Sequence, residues 1–124
     1  MACNEHDVFF GAGLTSGITP GEIFRYTVPQ GMTVDLRISI IARAVSNGVS
    51  ALFEKRVCVK NNNGVIFLVG NVIDVITAQK DAGAATWTIS GAIEGEDLVL
   101  NATGSLGLDV QWLPCSKVVE FANG

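Results

Sequence analysis

The chain has few charged residues, few aromatic residues and little cysteine or proline. Charged side chains make up 16% of its 124 residues and hydrophobic residues make up 48%, whereas an ordinary soluble domain has about 25% charge. Disordered chains show the opposite balance, so the composition excludes that class. No uncharged apolar run approaches the roughly 18 residues of a membrane-spanning helix. We therefore expect a single folded domain with no membrane partner.

Basic residues are also scarce. Eight Lys and Arg stand against 12 Asp and Glu, a formal net charge of −4. Nucleic-acid-binding surfaces neutralise phosphates with clustered Lys and Arg, and the densest cluster here, Lys55-Arg56 with Lys60, has Glu54 beside it. The sequence therefore predicts no nucleic-acid partner. The shortage of charge also predicts that part of the surface is covered by other copies of the chain or by another protein.

Cysteine and histidine are too few to build a disulfide scaffold or a zinc site. The three cysteines, Cys3, Cys58 and Cys115, are an odd number at wide spacing, and His6 is the one histidine. Free thiols are the main expectation, and a bridge between Cys58 and Cys115 is the alternative. The sequence predicts neither a cofactor nor a metal site.

No catalytic motif is present. A hydrolase triad needs a histidine oriented by a carboxylate, and His6 lies in a glycine-rich N-terminal stretch. Three carboxylates lie close together in the sequence at Glu94, Glu96 and Asp97. We interpret them as part of a solvated turn rather than as a catalytic carboxylate pair. The sequence therefore predicts that the chain is not an enzyme.

Apolar and polar residues alternate with period two, which predicts an all-β fold. Residues 32–44 alternate most clearly, and Asn47-Gly48 after them is the preferred pair for a two-residue turn with positive φ at both positions. About eight strands at regular turn spacing indicate an antiparallel β-sandwich or jelly roll over residues 22–124. Glycines and a proline in residues 1–21 predict an irregular N-terminal arm or a short edge strand.

Two interruptions of the alternation predict local irregularities. Lys55 falls on the apolar face of the strand that follows Asn47-Gly48, and the apolar parity of the last strand changes at Pro114-Cys115. A bulge or a position near the end of the sheet is therefore expected at Lys55, and a bulge or an edge break is expected at Pro114-Cys115.

Trp87 and Trp112 both lie within alternating strands. That position favours the sandwich core. The alternative is that Trp112 stacks on a sugar ring in a lectin-like, carbohydrate-binding module.

Four sequence stretches resemble a C-terminal module of bacteriophage virion proteins, which occurs in tail fibres and similar appendages. They are Phe53–Asn61, the turn Asp81-Ala82-Gly83-Ala84 before Trp87, the hairpin Leu98–Gly104, and Val110-Gln111-Trp112. The resemblance covers roughly residues 50–121. The chain departs from the module at Gln111, where Arg is usual, and at Pro114-Cys115, where the last strand normally continues.

This resemblance implies a structural protein of the virion whose partners are viral capsid or tail proteins. The chain contains no shaft repeat, heptad or collagen-like stretch, so the main interpretation is a homotrimeric capsid decoration (cement) protein that binds between capsomers. The alternative is a tail fibre or baseplate appendage for host adhesion. In either role, Phe9 and Phe10 are expected to anchor the N-terminal arm on a partner.

Overall fold

The computed structural model describes residues 2–9 and 13–122. Within these ranges the chain forms eleven β-strands and a single-turn 3-10 helix at Ala82–Ala84, and no helix is long and apolar enough to span a membrane. The prediction of an all-β fold is therefore confirmed. The strands are β1 (Ala2–Phe9), β2 (Gly13–Ser16), β3 (Gly21–Thr27), β4 (Met32–Ala44), β5 (Ser50–Asn62), β6 (Val65–Leu68), β7 (Ile73–Asp74), β8 (Gln79–Lys80), β9 (Thr88–Glu94), β10 (Asp97–Thr103) and β11 (Asp109–Ala122).

The strands form two antiparallel sheets in a sandwich-like arrangement. The larger sheet has the order β1-β11-β4-β5-β6, with β2 pairing along β11 and with β7 and β8 pairing along β5. The smaller sheet has the order β3-β10-β9. The hydrophobic core lies between the sheets. We call the opposite side of the larger sheet its outer face.

The long strand β4 illustrates why the sequence folds this way. Its even-numbered residues from 34 to 44 are all apolar and buried, and its odd-numbered residues lie on the outer face. Burial of one large aliphatic side chain contributes about 1.5–3 kcal/mol. A register slip of one residue would move the whole apolar set to the solvent side, so the alternation fixes the face of β4.

The two tryptophans join the sheets at the centre of the core. Trp87 and Trp112 are fully buried, with ring centroids 5.7 Å apart. Their indole N–H groups donate to hydroxyls, from Trp87 to Ser105 Oγ at 3.0 Å and from Trp112 to Thr15 Oγ1 at 2.8 Å. Each indole N–H, which is costly to bury unpaired, is therefore satisfied.

The predicted irregularities at Lys55 and Pro114 are wrong. The β4–β5 ladder passes Lys55 without a register shift, and the β4–β11 ladder passes Pro114 without one. Lys55 stays on the core side because its ammonium forms an ion pair with Asp74 of β7. The apparent change of parity arises because polar Ser116 is buried while apolar Phe121 lies on the outer face.

The N-terminal residues fit the short-edge-strand expectation better than the irregular one. Strand β1 pairs with β11 along its whole length, and β2 pairs with the start of β11. The division into an arm of residues 1–21 and a domain of residues 22–124 stays a prediction.

Candidate functional site

A pocket of about 270 Å³ lies at the centre of the outer face. The register of β4 and β5 places Arg37 directly opposite Arg56, and Ser39 directly opposite Glu54. The chain after β7 forms one wall, where the N–H of Val75 donates to the carbonyl oxygen of Glu54 at 3.0 Å. The side chains of the floor are therefore carried by two long, fully paired strands.

Two guanidinium groups share one carboxylate beside this pocket. Arg56 donates from Nε and Nη2 to the two oxygens of Asp35 at 3.1 and 3.0 Å, and these hydrogen bonds raise the pKa of Arg56. The Nε of Arg37 lies 3.6 Å from the same carboxylate, an ion pair without a hydrogen bond. Like charges opposite each other on neighbouring strands repel, and Asp35 offsets only part of this repulsion.

Several polar groups of the pocket have no hydrogen-bond partner in the described part of the chain. They are the hydroxyl of Ser39, the carboxylate of Glu54 and the terminal amino groups of Arg37. Glu54 is half-buried, and the side chains of Arg37 and Arg56 are 56% and 48% exposed. The pocket therefore presents the unpartnered amino groups of Arg37 next to a carboxylate acceptor, Glu54.

The two carboxylates that flank the turn between β9 and β10, Glu94 and Asp97, are held by an arginine. Arg25 of β3 binds Glu22 at 2.6 Å, Asp97 at 2.6 Å and Glu94 at 3.1 Å. Hydrogen bonding lowers the pKa of Glu22 through Arg25, and that of Asp97 through Thr27 and Arg25. The expected solvated turn is therefore an ionic contact across the smaller sheet.

The sequence reasoning missed Asn61, which connects this turn to the larger sheet. Asn61 is fully buried on the core side of β5, and its amide donates to the carbonyl of Val28 at 2.7 Å and to Glu96 at 2.9 Å. Its side-chain oxygen accepts from the N–H of Gly64 at 2.8 Å. Its place at an apolar-phase position of β5 was the available signal.

The predicted contact residues Phe9, Phe10 and Trp112 have different outcomes in the structure. Phe9 ends β1 opposite Cys115, and Phe10 lies outside the described residues, so their role as partner anchors stays a prediction. Trp112 is fully buried, which agrees with the core interpretation. A glycan contact needs an exposed ring face, and Trp112 offers none.

Cys58 and Cys115 are free thiols, so the alternative of a bridge between them is wrong. They lie on β5 and β11, which are separated by β4. Burial raises the pKa of the Cys58 thiol. Among the side chains that the structure describes, those of residues 13–122, no three potential metal ligands come together.

A second surface feature is an apolar group on the edge strand β6 and at the residue directly after it, which we call the β6 patch. It consists of Val65, Phe67, Leu68 and Val69, which are 53%, 45%, 39% and 47% exposed. The β6 patch carries no charge of its own; the ammonium of Lys60 lies 5.9 Å from the centre of the Phe67 ring.

Comparison with known proteins finds loose structural similarity. No family model and no curated protein matches the chain. Three solved structures are similar over nearly its whole length. They are the tailspike of Acinetobacter baumannii bacteriophage Fri1, a capsular polysaccharide depolymerase (16% identity, TM-score 0.47, 97% of this chain), the tailspike of Acinetobacter baumannii phage AM24 (10%, 0.43, 98%) and the tailspike of Acinetobacter phage vB_ApiP_P1 (11%, 0.39, 96%).

The chain spans 17%, 26% and 21% of these three proteins. All three are bacteriophage tailspikes, and none is a capsid decoration protein. The prediction that the chain is not an enzyme is contradicted, because the Fri1 tailspike is a depolymerase. At these TM-scores the likeness assigns no activity to this chain.

Proposed function

We propose that the chain is a module of a bacteriophage tail appendage, assembles with copies of itself, and contributes to attachment to the host surface. The β6 patch is the observation that carries the proposal. The sequence resemblance over residues 50–121 supports the phage tail as its place.

The β6 patch needs a cover. Natural proteins protect edge strands with charge, proline or bulges, because an exposed apolar edge pairs with other chains. Three apolar side chains on β6 and Val69 directly after it, each more than a third exposed, have no charge or proline among them. A chain with 16% charged residues has few means to keep such a patch soluble as a monomer. A homotrimer in which copies cover this patch accounts for both features.

The oligomeric state tests this assembly. Light scattering of the purified chain across a concentration series should give a stable trimer. Phe67→Glu places a charge in the β6 patch and should shift the mass toward the monomer. Leu106→Glu is the matched control, since Leu106 is 83% exposed and lies outside the patch. A monomeric parent chain, or equal effects of the two substitutions, would contradict the assembly.

Electron microscopy tests whether the chain is located in the phage tail. Antibodies against the chain, visualised with gold on virions of the phage that encodes it, should label the tail. Gold on the head alone would refute the tail assignment.

A further inference from the structure

We propose that the pocket on the outer face binds a uronate, a carboxylate-bearing sugar residue of an acidic polysaccharide. This inference rests on the proposed role in host attachment, because it names the surface chemistry that the module would recognise.

The cationic side of the pocket fits a carboxylate. Arg37 and Arg56 lie opposite each other on adjacent strands, and both line the pocket. Arginine forks bind carboxylates with two parallel hydrogen bonds. A ligand carboxylate would use the unpartnered amino groups of Arg37 and would relieve the repulsion that Asp35 leaves. The attraction between a ligand carboxylate and these arginines is confined to the pocket, because the chain as a whole has a net charge of −4.

The other side of the pocket selects a sugar over other anions. Glu54 is an acceptor and Ser39 is both donor and acceptor, and neither side chain has a hydrogen-bond partner among the described residues. Sugar hydroxyls satisfy both groups. A glutamate side chain of an acidic peptide has no hydroxyl beside its carboxylate, whereas a uronate offers ring hydroxyls to Glu54 while its carboxylate lies on Arg37.

The size and the wall of the pocket agree with a single sugar ring. Sites for larger, drug-sized ligands have volumes of about 300–1,000 Å³, and this pocket has about 270 Å³. Val75 is 53% exposed on its wall and offers an apolar surface to the C–H face of a ring.

Isothermal titration calorimetry of the full chain with oligogalacturonate tests the proposal, and the methyl ester of the same oligomer replaces each charged carboxylate with a neutral ester. The acid should bind and the ester should bind at least about tenfold more weakly, the effect of one lost charge-assisted contact. Arg37→Gln should weaken binding of the acid by a similar factor. Arg43→Gln is the control, because Arg43 lies on the same face of the same strand, outside the pocket.

Glu54→Gln separates sugar from other anions. It should change the preference among uronates with different hydroxyl arrangements (galacturonate, glucuronate and alginate oligomers). Equal binding of acid and ester, no binding of any of these oligomers, or equal binding of polyglutamate would overturn the proposal. Tail labelling by electron microscopy is independent of these results, so the two proposals can fail separately.

Discussion

The hydroxyl of Ser116 is buried at a cost that no described contact offsets. The residue is fully buried on the core side of β11, and Oγ has no hydrogen-bond partner in the part of the chain that the structure describes. Leaving such a group unpaired costs about 1–3 kcal/mol. Ser116→Ala should therefore raise the free energy of unfolding, measured in urea, by about 1 kcal/mol. Removal of the unpaired hydroxyl stabilises the fold by more than the small void destabilises it.

Ser39→Ala is the matched control for Ser116→Ala. Ser39 is exposed on the outer face, so its replacement should change stability by less than about 0.5 kcal/mol. A destabilising effect of Ser116→Ala would mean that the hydroxyl has a partner.

Asp97 makes stability depend on pH in a defined direction. Hydrogen bonds from Thr27 and Arg25, both 2.6 Å, lower its pKa. The native state thus binds the proton less tightly than the unfolded chain, whose carboxyl has a pKa of about 3.9. The stabilisation is present above that value and is lost as the pH falls through the lower native pKa.

Asp97→Asn should therefore lower the stability by about 1 kcal/mol at pH 7, a modest value because the site is partly exposed. Urea unfolding from pH 7 to pH 2 should show the difference from the parent chain shrinking in acid. A difference that is constant with pH would refute the ionic explanation.

At the scale of the strands, the sequence predicted faces better than registers. The alternation in residues 32–44 placed β4 and its buried side correctly, because a face depends only on local period. Lys55 and Pro114 misled the sequence interpretation for another reason. Whether a lysine on the core side finds a carboxylate depends on Asp74, which is distant in sequence and comes close only through the pairing of β7 with β5.

The residues that meet in the pocket depend on the turn between β4 and β5, and the sequence did not specify the geometry of that turn. A two-residue turn at Asn47-Gly48 would pair Arg37 with Cys58. Of these two residues, only Gly48 has positive φ in the structure, at 71°. The N–H of Ala44 donates to the carbonyl of Val49 at 2.8 Å, which closes a wider loop. That loop shifts the register by two residues and brings Arg37 opposite Arg56. Positive φ at two successive positions occurs instead at Asn63-Gly64, 55° and 86°.

Strands β2 and β3 meet closely at Gly21. A Cβ atom at Gly21 would lie 3.0 Å from Cγ2 of Thr15, whose hydroxyl accepts the hydrogen bond of Trp112. Gly21→Val should therefore displace Thr15 and destabilise the fold by about 1–3 kcal/mol. Thermal unfolding followed by tryptophan fluorescence measures both effects. Ser16→Val, at an exposed position of β2, is the control, and equal losses from the two would refute this contact argument.

The whole molecule should unfold in one step. The larger sheet supplies Trp112, and Trp87, next to the smaller sheet, packs on it within one core. The near-ultraviolet circular dichroism of this pair and the far-ultraviolet signal of the strands should therefore change at the same urea concentration. Two separate midpoints would show that the sheets unfold independently.

The pairing of Ala2 with Ala122 has a mechanical consequence. The two ends of the described chain lie side by side on neighbouring antiparallel strands, so tension applied between them opens the β1–β11 hydrogen bonds one after another, as in unzipping. A load that enters at one end and leaves through the outer face instead pulls β11 along β4, where 13 residue pairs resist together. The same module would thus yield easily to stretching between its ends and resist shear across its broad sheet.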